Sequence, residues 1–330
     1  MMRRVLSYRK ITTTCIFKYI LIVLLFLSWQ NIFSQQMLGL GFDNYNGSAG
    51  VILNPAFLTN SKVYLDVNLM TTDIFVENNI GYINKDSTGF WDLARMAKNN
   101  AFRNSKIYLV AYENHNAKNF AIISRVQGPT VMIQKGRQAF AVGVSTRSVS
   151  TGVNIPYQIA ASHGRLSDPL LLHKSFDDYN FSISSLSWAE INLNYAYDLI
   201  DRGNTKISLG VGVNFLFGVA GGYIATRNLK FSVPDSRILD IKNYDGNIGF
   251  ALPVNYNNYN KSDFNPVFKG HGLGLDVGFL YTRLKTFTDP GEKRLCAKPY
   301  ADYVYKFGIS LMDIGGIRLE LPFSCPAHPT

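Results

Sequence analysis

The feature that most constrains this chain is a strict alternation of side-chain type, clearest in Ile207-Ser208-Leu209-Gly210-Val211-Gly212-Val213-Asn214-Phe215. Every odd-numbered side chain in that run is large and apolar; every even-numbered one is Ser, Gly or Asn. A period of two specifies a strand with one face in an apolar medium and the other in a polar one. Such runs reach about ten residues, the length a tilted strand needs to cross a bilayer. Strands of a water-soluble β-sandwich are usually nearer five or six residues, and their wet faces tend to carry charge rather than Gly, Ser and Asn. The expected fold class is therefore all-β, an antiparallel barrel spanning a membrane, with a soluble sandwich as the alternative.

The N-terminal segment reads as an export signal. Arg3, Arg4, Arg9, Lys10 and Lys18 form a leader without an acid, and Tyr19–Trp29 is uncharged and apolar. That core is about eleven residues, short of the roughly twenty a spanning helix needs. Cleavage is expected between Ser34 and Gln35, with an uncleaved anchor as the alternative. The five leader cations supply half of the formal charge of +10, leaving a mildly basic mature chain. Its remaining cations are scattered, with no dense Lys/Arg stripe, so nucleic acid is not an expected partner. Acidic lipopolysaccharide and lipid headgroups are better matched. Cys296 and Cys325 remain after cleavage; an exported chain can oxidise them to a disulfide, and two unpaired thiols are the alternative.

Residues 35–61 lack strand alternation and are glycine-rich, so they read as a plug inside the barrel or at its mouth. A short helix interrupted at Pro55 is expected between Ser48 and Leu58. Residues 62–320 carry the barrel pattern, beginning with Val63, Leu65, Val67 and Leu69 on one face. Phe90–Asn100 has the spacing of a short amphipathic helix. Phe120, Ile122 and Ser124 begin one strand, Val131 and Ile133 lie on another, and Lys135–Gln138 is a turn signal. Thr151–Asp178 and Asn243–Lys269 break the pattern and read as long loops. Ser187–Phe217 is the best hairpin, turning at Asp201–Asn204. Residues 321–330, with two prolines, read as an irregular tail.

Chemistry-bearing motifs are scarce. The five histidines form neither an HExxH pair nor a Cys/His cluster, so no metal or cofactor is expected. Gly270-His271-Gly272-Leu273-Gly274 opens a strand rather than a helix, which argues against a phosphate loop. There is no G-x-S-x-G elbow, and a lipid hydrolase is only a minor alternative to a non-enzymatic barrel. The charged positions in phase with the polar faces are Asp66, Glu190, Asp198, Asp276, Asp302 and Lys306. Such side chains either brace a lumen by ion pairing or tune a pore's selectivity.

The segment Gly47–Leu58 contains Asn54-Pro55-Ala56 just ahead of the first strand. It resembles the plug element of the FadL-like outer-membrane barrels. Val126–Pro129, Gln138–Ala141 and Ser310–Gly316 are similar to strand and turn motifs of a Bacteroidota barrel family related to the PorV-type proteins of type IX secretion. The resemblance covers most of residues 37–317. It implies an outer-membrane barrel of about fourteen strands, with Asn54, Pro55 and Ala56 as the plug motif. By that likeness the chain either binds or passes small hydrophobic molecules, or serves as a structural partner of a secreted protein. Such barrels end in a strand with a terminal aromatic, whereas this chain ends Cys325-Pro326-Ala327-His328-Pro329-Thr330. Closing strands are therefore expected to be missing.

Overall fold

Alternation over so many residues produces strands of great length. The computed structural model describes residues 47–83, 109–112, 114, 116–162, 166–202, 204–254, 268–285, 303–320 and 323–326. Two 3₁₀ turns, Gly47–Ile52 and Pro55–Asn60, precede β1 (Leu65–Asn68), β2 (Thr71–Asn78), β3 (Gly81–Ile83) and β4 (Leu109–Ala111). Then follow β5 (Lys118–Lys135), β6 (Gln138–Ile155), the short helix α1 (Tyr157–Ala161), β7 (Lys174–Arg202) and β8 (Thr205–Asp235). The described elements end with β9 (Ile238–Ala251), β10 (Gly270–Leu284), β11 (Tyr303–Leu319) and β12 (Phe323–Pro326).

One antiparallel sheet holds all of these strands except β3 and β4, which pair with each other. Its main path runs from β1 and β2, both on β5, through β6, β7, β8 and β10 to β11. Strand β8 is shared lengthwise. Thr205–Gly218 pairs with β10, and Gly221–Asp235 pairs mainly with β9, whose other edge carries β12. The sheet is not closed into a barrel. Among the described residues, β11 pairs only with β10, and β1 and β2 only with β5. Six antiparallel steps separate these two edges, so both point the same way.

The two faces are polarised in reverse of a sheet in water. Val131, Ile133, Phe140, Val142, Leu193, Val211, Leu275 and Phe307 point outward and are exposed, Val142 by 54%. Their neighbours on the other face are buried and often polar, among them Gln134, Ser145, Glu190, Asn194, Asp198, Asn214 and Asp276. The apolar band is only a part of the strand height. Strand β7 has 29 residues, roughly 95 Å at about 3.3 Å per residue. Beyond the band, β7, β8 and the turn before β7 build a separate core from Leu171, Phe176, Leu229, Phe231 and Val233, against which Ile159 of α1 packs, with the Phe176 and Phe231 rings stacked 4.9 Å apart.

Several sequence expectations change here. The segments around Ile122 and Ile133 are one strand, not two. Gly128 and Pro129 form a bulge in β5 opposite Val144, between the pairs Gln127↔Ser145 and Thr130↔Gly143. A bulge adds one residue and reverses the facing of everything beyond it, which makes one strand look like two. Of the loop expected at 151–178, residues 151–155 belong to β6 and 174–178 to β7. Of that expected at 243–269, residues 243–251 belong to β9. The tail expected to be irregular contains β12, paired as Phe323↔Phe250 through Pro326↔Asn247. The leader, the Phe90–Asn100 helix, Cys296 and Asp302 lie outside the described residues.

Candidate functional site: the inner face

Asn54 organises the segment that lies on the inner face. It caps the second 3₁₀ turn in an extended conformation (φ −163°, ψ 116°), with Pro55 at the first turn position. Its Oδ1 accepts from the Ala56 N–H at 2.8 Å. Its Nδ2 donates to the carbonyls of Phe279 (3.1 Å) and Ile309 (3.3 Å), which face each other across β10 and β11. One side chain therefore satisfies a buried donor in its own turn and ties the turn to two strands. The short helix expected between Ser48 and Leu58, interrupted at Pro55, is two 3₁₀ turns that break at Asn54, with Pro55 opening the second.

Three glycines make room for this motif. A Cβ on Gly210 would collide with the backbone of Pro55 and Ala56, and one on Gly278 with Asn54 Oδ1. At Gly308 it would lie 3.3 Å from Asn54 Nδ2. These residues sit on β8, β10 and β11. Their smallness is the seat of Asn54-Pro55-Ala56.

Other bonds fix residues 48–59, within the described part of the segment expected to form a plug. Ser48 donates to Asp66 Oδ2 from its N–H (2.8 Å) and its hydroxyl (2.5 Å). The Thr59 carbonyl accepts from Lys206 Nζ (2.7 Å) and Gln134 Nε2 (3.0 Å), and Leu53 O from Ser310 Oγ (2.6 Å). Val51 and Leu58 pack with Met132, Ala139, Ala141 and Ala196.

Beside the plug runs a chain of polar contacts crossing five strands. Arg147 on β6 approaches Glu190 Oε1 on β7 at 2.9 Å, without hydrogen-bond alignment of its Nε–H. Glu190 accepts from Ser145 Oγ (2.8 Å), Trp188 Nε1 (2.6 Å) and Asn192 Nδ2 (3.1 Å). Asn192 Nδ2 also donates to Asn214 Oδ1 (2.8 Å), whose Nδ2 donates to Asp276 Oδ2 (2.7 Å). Asp276 Oδ1 accepts the Asp313 N–H (2.6 Å), and the Asp313 carboxylate returns to Arg147 Nη1 at 2.8 and 2.9 Å. A side chain of β6 thus reaches β11, so the sheet is rolled although its edges do not meet. A cavity of about 30 Å³ remains between this ring and the plug, beside the unpartnered Gln127 Oε1 and Asn194 Oδ1. Space of that size holds about one water.

The sequence candidates take distinct places. Glu190 and Asp276 belong to the ring. Asp66 and Asp198 hold the plug, Asp198 by pairing with Lys206 (2.9 Å) and Ser208 (2.6 Å). Lys306 is opposite Thr282 on the inner side, its Nζ 4.2 Å from the Tyr303 ring centroid. Arg147, Asp313 and the glycine seat were missed. Arg147 was legible, since it is in phase with Ala139, Ala141, Gly143 and Ser145. Asp313 was not, because a bulge between Leu275 and Val277 and a left-handed backbone (φ 58°) re-aim it. Among the described residues, no group of three or more His, Cys, Asp or Glu is placed to hold a metal ion.

The sequence model of a family described as a family of unknown function (DUF5723) matches residues 55–320. No curated protein matches this chain. No solved structure matches it.

Proposed function

The chain belongs to this DUF5723 family of unknown function, and from its own residues we propose that it is a non-enzymatic, plugged β-barrel of the outer membrane. The observation that carries the reading is the reversed polarity of the sheet. Leaving Val142, Leu193, Val211, Leu275 and Phe307 exposed is costly in water and favourable against acyl chains. Burying Glu190, Asp198, Asn214 and Asp276 on the other face is tolerable because they are paired there. Outer-membrane lipid and lipopolysaccharide are then the medium of the apolar band, reached through the export signal of residues 1–34. Short turns, such as that between β5 and β6, mark the periplasmic end, and the tall strands the outer end. If every neighbour is antiparallel, closure between β11 and the β1/β2 edge takes an odd number of further strands.

In this reading Asn54, Pro55 and Ala56 close the lumen, and small hydrophobic molecules bind or pass, in a FadL-like way, when the plug shifts. Fractionation of expressing bacteria tests the membrane assignment: retention in the outer membrane through a carbonate wash is expected, and recovery as a soluble periplasmic monomer would refute it. Uptake of a hydrophobic fluorescent probe into vesicles holding the full chain tests the passage. It should rise on Asn54→Ala, and identical uptake in variant and parent counts against gating by the plug. A second reading, a PorV-type partner of a secreted protein, is favoured by Ile238, Leu239 and Ile241, exposed at the far end of the tall β8–β9 hairpin. Cross-linked pull-down separates the two, because only the second predicts a stoichiometric protein partner.

A further inference from the structure

The outer face is not uniform. At the outer edge of the apolar band it holds a groove of about 330 Å³. Its floor is small, from Gly128 and Ala189, and its walls are Val144, Ile191, Phe217 and Phe268. The β5 bulge produces this dent: Gly128 and Pro129 oppose the single residue Val144, and no side chain rises from Gly128 to fill the space. Phe217 and Phe268, with ring centroids 5.4 Å apart, raise the opposite wall. The volume is at the lower end of the roughly 300–1,000 Å³ typical of ligand sites, an order of magnitude above the inner cavity.

Charge is arranged beside one wall. His271 pairs in register with Phe217 on one side and with Arg318 on the other. Adjacent strands are about 4.8 Å apart, so both side chains stand within about 10 Å of the Phe217 wall and on the same face. Lys269 follows Phe268 directly; the acidic residues nearby are Glu320, whose N–H donates to Lys269 O at 2.8 Å, and Glu190, which lines the groove and is paired with Arg147 at 2.9 Å. With Glu190 neutralised by Arg147, the cations Lys269 and Arg318 and the histidine against Glu320 leave the rim net positive.

We propose that this groove seats one acyl chain of an anionic membrane lipid, with His271 and Arg318 facing its headgroup. The inference rests on the membrane reading above and adds a defined lipid site to it. An apolar trough in a lipid-facing wall is filled by whatever chain fits, and a positive rim at headgroup level selects an anionic head.

The test uses the full chain in nanodiscs of mixed phosphatidylcholine and phosphatidylglycerol, followed by native mass spectrometry of the released protein. One retained phosphatidylglycerol is expected. Ala189→Phe fills the floor and should lower retention by at least about tenfold. Arg318→Gln should keep the retained lipid but abolish the preference for phosphatidylglycerol. Leu311→Phe, exposed on the same band away from the groove, should change neither. Equal retention by Ala189→Phe and the parent overturns the acyl seat. Equal retention of the two lipids by the parent overturns the headgroup assignment. Failure of the parent to enter nanodiscs overturns the membrane reading itself, a distinct outcome.

Discussion

Substituting Asn54 by Ala isolates the tie between plug and sheet. The side chain is 3% exposed and makes three hydrogen bonds: one from Ala56 N–H and two to the strand carbonyls of Phe279 and Ile309. Losing an Asn N-cap costs about 0.5–2 kcal/mol. The lost pair to the carbonyls adds about 0.5–1.5 kcal/mol per bond, the 3.3 Å bond counting at the low end. The Ala56 N–H, on a fully buried residue, is then left without its acceptor. The sum is about 2–4 kcal/mol, roughly 30- to 700-fold in the equilibrium for releasing the plug at about 1.4 kcal/mol per tenfold. Limited proteolysis of the folded chain in detergent, following cleavage within residues 47–61, reads that equilibrium when reclosing is fast. Asn54→Asp separates the contributions: it keeps the cap acceptor but turns a carboxylate on two carbonyls, so it should release the plug at least as readily as Asn54→Ala. If either variant is cleaved no faster than the parent, the motif does not hold the plug and the reasoning fails.

Three further outcomes follow from the same geometry. Gly278→Ala should weaken plug binding strongly because its Cβ collides with Asn54, whereas Gly316→Ala, with nothing within 4 Å, should change protease protection by less than about 0.5 kcal/mol. Val142→Arg, in the outer apolar band, should cost about 2–4 kcal/mol of folding stability in phosphatidylcholine vesicles by denaturant titration; an unchanged midpoint would argue that this face does not meet lipid. Arg147→Ala removes a cation beside the Glu190 carboxylate, whose side chain is 1% exposed, and should destabilise by about 3 kcal/mol. Asp313→Ala, losing a partner 54% exposed, should cost under about 1 kcal/mol, and a reversed order would mean that Asp313, not Glu190, anchors the ring.

Side-chain period alone determined that this chain forms long strands, which residues share a face between bulges, and that one face is apolar and the other polar. Glu190, Asp198, Asp276 and Arg147 all obey that period, because alternation is a local consequence of strand geometry. The break in the Ser48–Leu58 segment at Pro55 was legible too, since Asn before Pro at a turn start is local chemistry. Three things were decided only in three dimensions. The bulges at Gly128-Pro129 and at Asp313 reverse facing for all residues beyond them, and their placement depends on pairing with another strand. Gly210, Gly278 and Gly308 are far apart along the chain and acquire a common role only when β8, β10 and β11 lie side by side. The forking of β8 between β9 and β10, and the sheet edges left apart at β11 and β1/β2, follow from register between distant segments. A one-dimensional pattern carries the direction each side chain points, but not the strand it points beside.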